Sequence, residues 1–87
     1  MYHVYLLRSI NNPSKSYVGL TIRTPEDRLN EHNSGKSQFT KTDKPWRLIY
    51  YEKFYCKLCA EKREMFLKSG FGYRLRQVLL DNESKLI

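Results

Sequence analysis

The chain has 87 residues and carries 16 Lys and Arg against 9 Asp and Glu, a net charge of +7. That length allows one domain over the whole chain, residues 1–87, and a domain so small buries only about 60–65% of its unfolded surface. The positive balance favours an anionic partner, nucleic acid first, while the absence of any apolar run near the roughly 18–20 residues of a membrane span, or of a basic-then-apolar leader, argues for a cytoplasmic protein with no membrane partner.

Residues 3–9, His-Val-Tyr-Leu-Leu-Arg-Ser, are β-branched, aromatic and apolar and read as a strand. The turn cluster Asn11-Asn12-Pro13-Ser14 leads to a second short strand over residues 16–20, so a hairpin is expected. Alternation puts Tyr5 on one face with Leu7, and Tyr17 on one face with Gly19. Thr24-Pro25-Glu26-Asp27 marks a helix start. Thr24 is the N-cap, Pro25 sits where a missing N–H costs nothing, and Asp27 closes a capping box. This helix should run from Pro25 to about Asn33 and stop at Gly35 near a left-handed cap. Arg28 and His32 are four apart and share a face.

Residues 36–46 form a polar, basic loop, long enough to be a binding element. Residues 47–54 read as a strand. Leu48, Tyr50, Glu52 and Phe54 lie on one face; Arg47, Ile49, Tyr51 and Lys53 lie on the other. Apolar residues on both faces suggest a central strand. Residues 57–68 read as a second helix, poorly capped by Cys56, with Leu58, Cys59, Met65, Phe66 and Leu67 at its apolar positions. Residues 73–81 read as a third, with Leu75, Val78 and Leu79 as a buried stripe. The last six residues are expected to fray, with Leu86 and Ile87 placed to pack back. The order gives the fold class α/β (α+β): a three-stranded antiparallel sheet flanked by three helices. Cys56 and Cys59 stand in C-x-x-C spacing. A structural zinc needs two more ligands, and His3 and His32 stand in no finger-like spacing, so buried or half-buried thiols are expected.

Taken singly, the polar residues in these elements have plain structural readings. A strand tyrosine is usually core, an Arg–His pair a solvated face, and Glu64 an i,i+4 partner of Lys68. Together they match what phosphodiester hydrolysis requires. A water must be oriented and deprotonated, a cation must meet the phosphoryl charge, and a metal ion usually assists. Arginine brings five donors and a permanent charge, a carboxylate suits a hard divalent cation, and tyrosine becomes basic only where its phenolate is stabilised.

His3-Val4-Tyr5 and Tyr17-Val18-Gly19 resemble the two halves of the signature of the GIY-YIG nuclease superfamily. Arg28-Leu29-Asn30-Glu31-His32-Asn33-Ser34-Gly35 resembles that family's Arg-x-x-x-His-Asn-x-Gly helix. Thr40, with Pro45-Trp46 and the strand after it, resembles the loop and third strand of the small stand-alone, UPF0213-like members. Ala60-Glu61-Lys62-Arg63-Glu64, followed by Lys68, resembles the helix that carries a metal-binding glutamate. The resemblance spans nearly the whole chain. His3 stands where the signature has its first Gly, and Leu20 follows Gly19 where several relatives have a polar residue.

The resemblance implies a GIY-YIG endonuclease-like fold and a metal-dependent endonuclease acting on DNA, with RNA open as an alternative. It gives Tyr5 the role of general base or water-positioning group and has Tyr17 line the site. Arg28 would stabilise the transferring phosphoryl group, and His32 would assist through hydrogen bonding near the scissile phosphate. Glu64 would hold one Mg²⁺ or Mn²⁺. Gly19 would let the backbone approach closely. Arg23, Lys36, Lys41, Lys44 and Lys68 would make less specific backbone contacts. A domain of this size has little surface for reading sequence, so weak sequence specificity, structure-selective cleavage, or dependence on a protein partner or dimer is expected. The competing readings are a non-catalytic nucleic-acid-binding module with the same fold, and a partner-binding protein with a vestigial site.

Overall fold

The protein is described over residues 1–82 from a computed structural model; the expected packing of Leu86 and Ile87 lies outside the described residues. The elements follow the order β1 (Tyr2–Ser9), β2 (Ser16–Thr21), α1 (Pro25–Asn33), β3 (Trp46–Phe54), α2 (Lys57–Lys68) and α3 (Tyr73–Asp81). The three strands form an antiparallel sheet in the order β2-β1-β3. The α+β class expected from the sequence is the one observed.

The central strand is β1, not β3. Its run Val4-Tyr5-Leu6-Leu7 is buried throughout, while Arg47, Tyr51 and Lys53 of β3 are exposed. A strand covered on both faces needs continuous apolar residues, and only β1 has them. The β1–β3 register also shifts between Leu6 and Leu7, which face Tyr50 and Leu48 and leave Ile49 as the extra residue. This bulge breaks the alternation expected for β3. Leu48 packs with Tyr5, Leu7 and Trp46, whereas Tyr50 and Phe54 pack with Val4 and Leu6 on the opposite face.

The sheet therefore has two cores. One contains Tyr5, Leu7 and Trp46, with Tyr17, Leu29 and Leu48 against them, and α1 lies on this side. The other joins Val4, Leu6 and Val18 to Ala60, Leu67 and Leu80 of α2 and α3.

Local chemistry fixes α1 at both ends. The Asp27 amide donates to Thr24 Oγ1 at 3.1 Å. At the other end Gly35 takes φ +83°. Its N–H donates to His32 O, and that of Lys36 donates to Glu31 O, which together close a Schellman motif. Asn33 then pins the helix to β3: its Nδ2 donates to Trp46 O at 2.9 Å and its Oδ1 accepts from the Trp46 amide. Helix α2 is pinned to the same strand by an ion pair, with Arg63 Nε and Nη2 donating to the two Glu52 carboxylate oxygens at 2.8 and 3.0 Å. Tyr50 adds a third hydrogen bond to Glu52, at 2.6 Å. Burial opposes the Glu52 carboxylate, but these bonds more than offset it and hold its pKa below the ordinary value.

The two C-terminal helices correct three expectations. Leu58, Met65 and Phe66 are exposed; of the expected positions Leu67 is buried, and Ala60 is the other residue that α2 buries. In α3, Val78 is exposed and Leu80 is the buried residue, with Leu75 and Leu79 half-buried beside it. Both cysteines are exposed rather than buried, and Cys56 does cap α2, its Sγ accepting from the Cys59 amide at 3.3 Å. In each helix the buried stripe is only about one residue wide, too narrow for a count of apolar positions to locate.

Candidate active site

Gly19 lies directly opposite Tyr5 in the hairpin. A Cβ at Gly19 would stand 2.3 Å from the Tyr5 hydroxyl and 2.4 Å from Cζ. The missing side chain is thus what lets the Tyr5 ring lie flat across β2 toward α1. There its Oη meets His32 Nε2 at 3.0 Å, and His32 Nδ1 meets Thr40 Oγ1 at 2.7 Å. Tyr5, His32 and Thr40 are 1%, 0% and 1% exposed. The α1–β3 connection is held in position to deliver Thr40. Trp46 Nε1 donates to the Thr40 carbonyl at 2.8 Å, and Ser9 Oγ donates to the Asp43 carbonyl at 2.6 Å. The connection includes a cis peptide between Lys44 and Pro45.

Above this buried chain lies Arg28, one turn before His32. Its Nε points at Tyr5 Oη at 3.4 Å, and its Nη1 donates to Glu31 at 2.7 Å. Glu31 also receives Arg23, which in turn lies 4.0 Å from Asp27. The Tyr17 ring is 4.9 Å from His32, centroid to centroid, and 6.3 Å from Tyr5. Among the described residues the Tyr17 hydroxyl has no hydrogen-bond partner. Tyr17 is one wall of a cleft of about 280 Å³, with Ser16, Val18, Lys68 and Arg76.

Proton positions follow from donor counting. A guanidinium can only donate, so Tyr5 Oη accepts from Arg28 and gives its own proton to His32 Nε2. The ring proton then sits on Nδ1 and bonds Thr40. Both shifts agree with this neutral arrangement. Burial raises the Tyr5 pKa, Arg28 pulls it back, and Glu64 adds to the upward push. Burial, then Arg28, lowers His32 below its ordinary 6.5. A depressed histidine pKa means that the unfolded chain binds the proton more readily. This contribution to stability is present above pH 6.5 and is lost as pH falls through the folded-state pKa. The melting temperature should accordingly drop between pH 6.5 and 5 with a steeper slope in wild type than in His32→Gln. Parallel slopes in the two proteins would mean that the imidazole is not held neutral.

Glu64 belongs to the same electrostatic environment, since it acts on Tyr5. Its carboxylate pairs with Lys68 Nζ at 3.1 Å, and Lys68 stands over the Tyr17 ring at 5.9 Å. Its side chain is 21% exposed, because on the helix it falls between the buried Ala60 and Leu67. One partly exposed carboxylate fits a hard cation that keeps several waters and takes its other ligands from a substrate phosphate. It does not fit a dedicated cage: among the described residues no three His, Cys, Asp or Glu side chains cluster for a metal.

The sequence-derived residues thus fall into three groups. Tyr5, Tyr17, Arg28 and His32 converge directly. Glu64 joins them through Lys68 and its effect on Tyr5. Lys36, Lys41 and Lys44 are exposed on the α1–β3 connection and bond to none of these side chains, while Arg23 stands outside Arg28, bridged by Glu31. Leu20 packs into the opposite core from Tyr5. Three participants were not singled out as site residues from the sequence. Glu31 was detectable as the i+3 partner of Arg28. Thr40 and Arg76 depend on long-range packing and carry no local signal.

The tyrosine hairpin, the Arg–His helix and the helix that carries Glu64 thus meet in one small α+β domain. Residues 1–76 match the GIY-YIG catalytic domain, and the chain belongs to that nuclease family. Over 69 residues it is 36% identical to a UPF0213 protein of Staphylococcus haemolyticus (strain JCSC1435), an alignment covering 78% of this chain and 80% of that protein. Among the described residues no helix is long and apolar enough to cross a membrane.

Proposed function

We propose that the protein is a divalent-metal-dependent endonuclease that hydrolyses phosphodiester bonds in DNA, and that Tyr5, Tyr17, Arg28, His32 and Glu64 are its working residues. The observation that carries this reading is the Arg28–Tyr5–His32–Thr40 chain. It ties a partly exposed cation to a buried neutral base.

His32 is fully buried and bonded at both ring nitrogens, so the hydrogen-bonding assistance that the resemblance implies would pass through Tyr5. Arg28 covers the Tyr5 oxygen through a long, weak contact. When the guanidinium turns onto a phosphoryl oxygen, that lone pair opens to the cleft. A water positioned there by the free Tyr17 hydroxyl gives its proton to Tyr5 Oη as the phenol proton passes to His32 Nε2. The water oxygen bonds phosphorus, and the leaving oxygen departs on the far side. Thr40 holds the ring so that only Nε2 can accept. Glu64 would hold Mg²⁺ or Mn²⁺, which supplies charge stabilisation at the phosphoryl and leaving oxygens. Lys68 and Arg76, along the cleft beside Tyr17, would position the backbone of the strand. A cleft this small reads shape before sequence, so we place the protein as structure-selective or weakly sequence-specific, with a partner or dimer as the route to choosing sites. We assign it to the cytoplasm.

The test is cleavage of branched, nicked, single-stranded and duplex DNA with Mg²⁺ or Mn²⁺ and with chelator. Wild type should cut at least one of these only when metal is present. Arg28→Ala should cut about 10²-fold more slowly, the usual cost of removing one charge-stabilising donor. If wild type binds DNA with salt-dependent affinity and cuts nothing with either metal, the protein is a binding module instead.

A further inference from the structure

The nuclease reading leaves the Cys56–Cys59 pair without a role, and the pair has the geometry of a reagent. Both thiols are exposed at the start of α2, Cys56 as its N-cap and Cys59 in its first turn. The Cys56 side chain folds back over that turn, its Sγ within 3.3 Å of the Cys59 backbone nitrogen, so the two side chains start from neighbouring positions, as a disulfide requires. The two sulfurs are not equivalent. Cys56 is the N-cap, and its Sγ accepts the Cys59 amide at 3.3 Å. It therefore sits at the positive end of the helix dipole, where a thiolate is stabilised. No acidic residue occupies the first turn to oppose this, and Lys57 and Lys62 lie on the same stretch. A hydrogen bond from the Cys59 thiol lowers the Cys56 pKa, and the same bond raises that of Cys59. Metal binding is the weaker alternative, since among the described residues no third ligand joins the pair.

We propose that Cys56 and Cys59 form a thiol–disulfide exchange site, with Cys56 attacking, Cys59 resolving, and an anionic low-molecular-weight disulfide as oxidant. In the first step the Cys56 thiolate bonds one sulfur of the disulfide. The S–S bond breaks, and the expelled thiolate takes a proton from solvent. In the second, Cys59 loses its proton to solvent and attacks the Cys56 sulfur. This closes the internal disulfide and expels the second thiolate. The protein pair loses two electrons, and the small disulfide is reduced to two thiols. The assignment does not depend on nuclease activity.

Oxidised glutathione is the probe, with intact-mass detection on the full chain. Wild type should lose two hydrogens and carry no lasting adduct. Cys59→Ser should trap one glutathione on Cys56, and Cys56→Ser should be modified several times more slowly. Serine is a good N-cap, so Cys56→Ser keeps the helix. In guanidinium, where the helix is gone, the rate difference between the variants should vanish. Equal rates for the two variants in the folded chain would overturn the proposal, as would wild type that accumulates glutathione adducts in place of the internal disulfide.

Discussion

Replacing Glu64 with Gln should leave the fold in place and lower metal-dependent cleavage by about 10³-fold, equivalent to about 4 kcal/mol of transition-state stabilisation. The small structural cost follows from what Glu64 touches. Among the described residues its one ion pair is with Lys68, whose side chain is half exposed, and such pairs are worth about 0–1 kcal/mol. The helix itself is held by Arg63 on Glu52 and by Ala60 and Leu67 in the core, none of which involves Glu64. The large functional cost follows from chemistry. Glutamine keeps the shape but offers a hard cation a neutral amide in place of a carboxylate. Melting temperature and cleavage rate should therefore separate: the first nearly unchanged, the second lost. Salt-dependent DNA binding should persist, since the lysines and arginines remain. A Glu64→Gln protein that cuts as fast as wild type would reduce Glu64 to a partner of Lys68 and remove the metal from the proposed mechanism.

The elements of the fold were legible where the signal is local. Helix α1 is written in Thr24, Pro25, Asp27 and Gly35, each of which acts on the nearest backbone groups, and its bounds came out as expected. The strand order was not legible. Tyr50, Tyr51 and Ile49 made β3 look covered on both sides, but the bulge redistributes them and Tyr51 remains exposed at the edge. The uninterrupted run Val4–Leu7 was the better sign of the central strand. The site was legible in a different sense. Spacing alone put Arg28 and His32 on one face, but nothing in spacing joins Tyr5 to a histidine 27 residues away or Glu64 to either. Those relations came from the family resemblance. What the resemblance could not supply is burial. It gave His32 a hydrogen-bonding role near the phosphate without saying that the ring is fully buried and bonded to Tyr5 and Thr40.

Gly19→Ala should destabilise the protein by about 2–3 kcal/mol, the cost of forcing a methyl into a filled core, and should remove most activity as well. The added Cβ would lie 2.3 Å from the Tyr5 hydroxyl, 2.4 Å from Cζ and 2.9 Å from Cε1. The ring has nowhere to go, being 1% exposed and packed by Leu7, Trp46, Tyr17 and Leu29. In a domain of this size the loss corresponds to a fall of about 10–20 °C in melting temperature. Any relief gained by tilting the ring takes Oη away from His32 Nε2 and Arg28 Nε, and with it the proposed proton path. The sequence had offered another role for Gly19, close approach of the backbone to substrate. The two roles differ in outcome. A glycine kept only for substrate access would leave stability untouched and weaken binding. A glycine kept for Tyr5 couples to that residue. In a double-mutant cycle with Tyr5→Leu, which removes the hydroxyl and Cζ at the point of collision, Gly19→Ala should cost at least about 1 kcal/mol less than it does with Tyr5 in place. Additive losses would instead mean that the ring and the glycine are independent, and that Tyr5 is free to take another position in the hairpin.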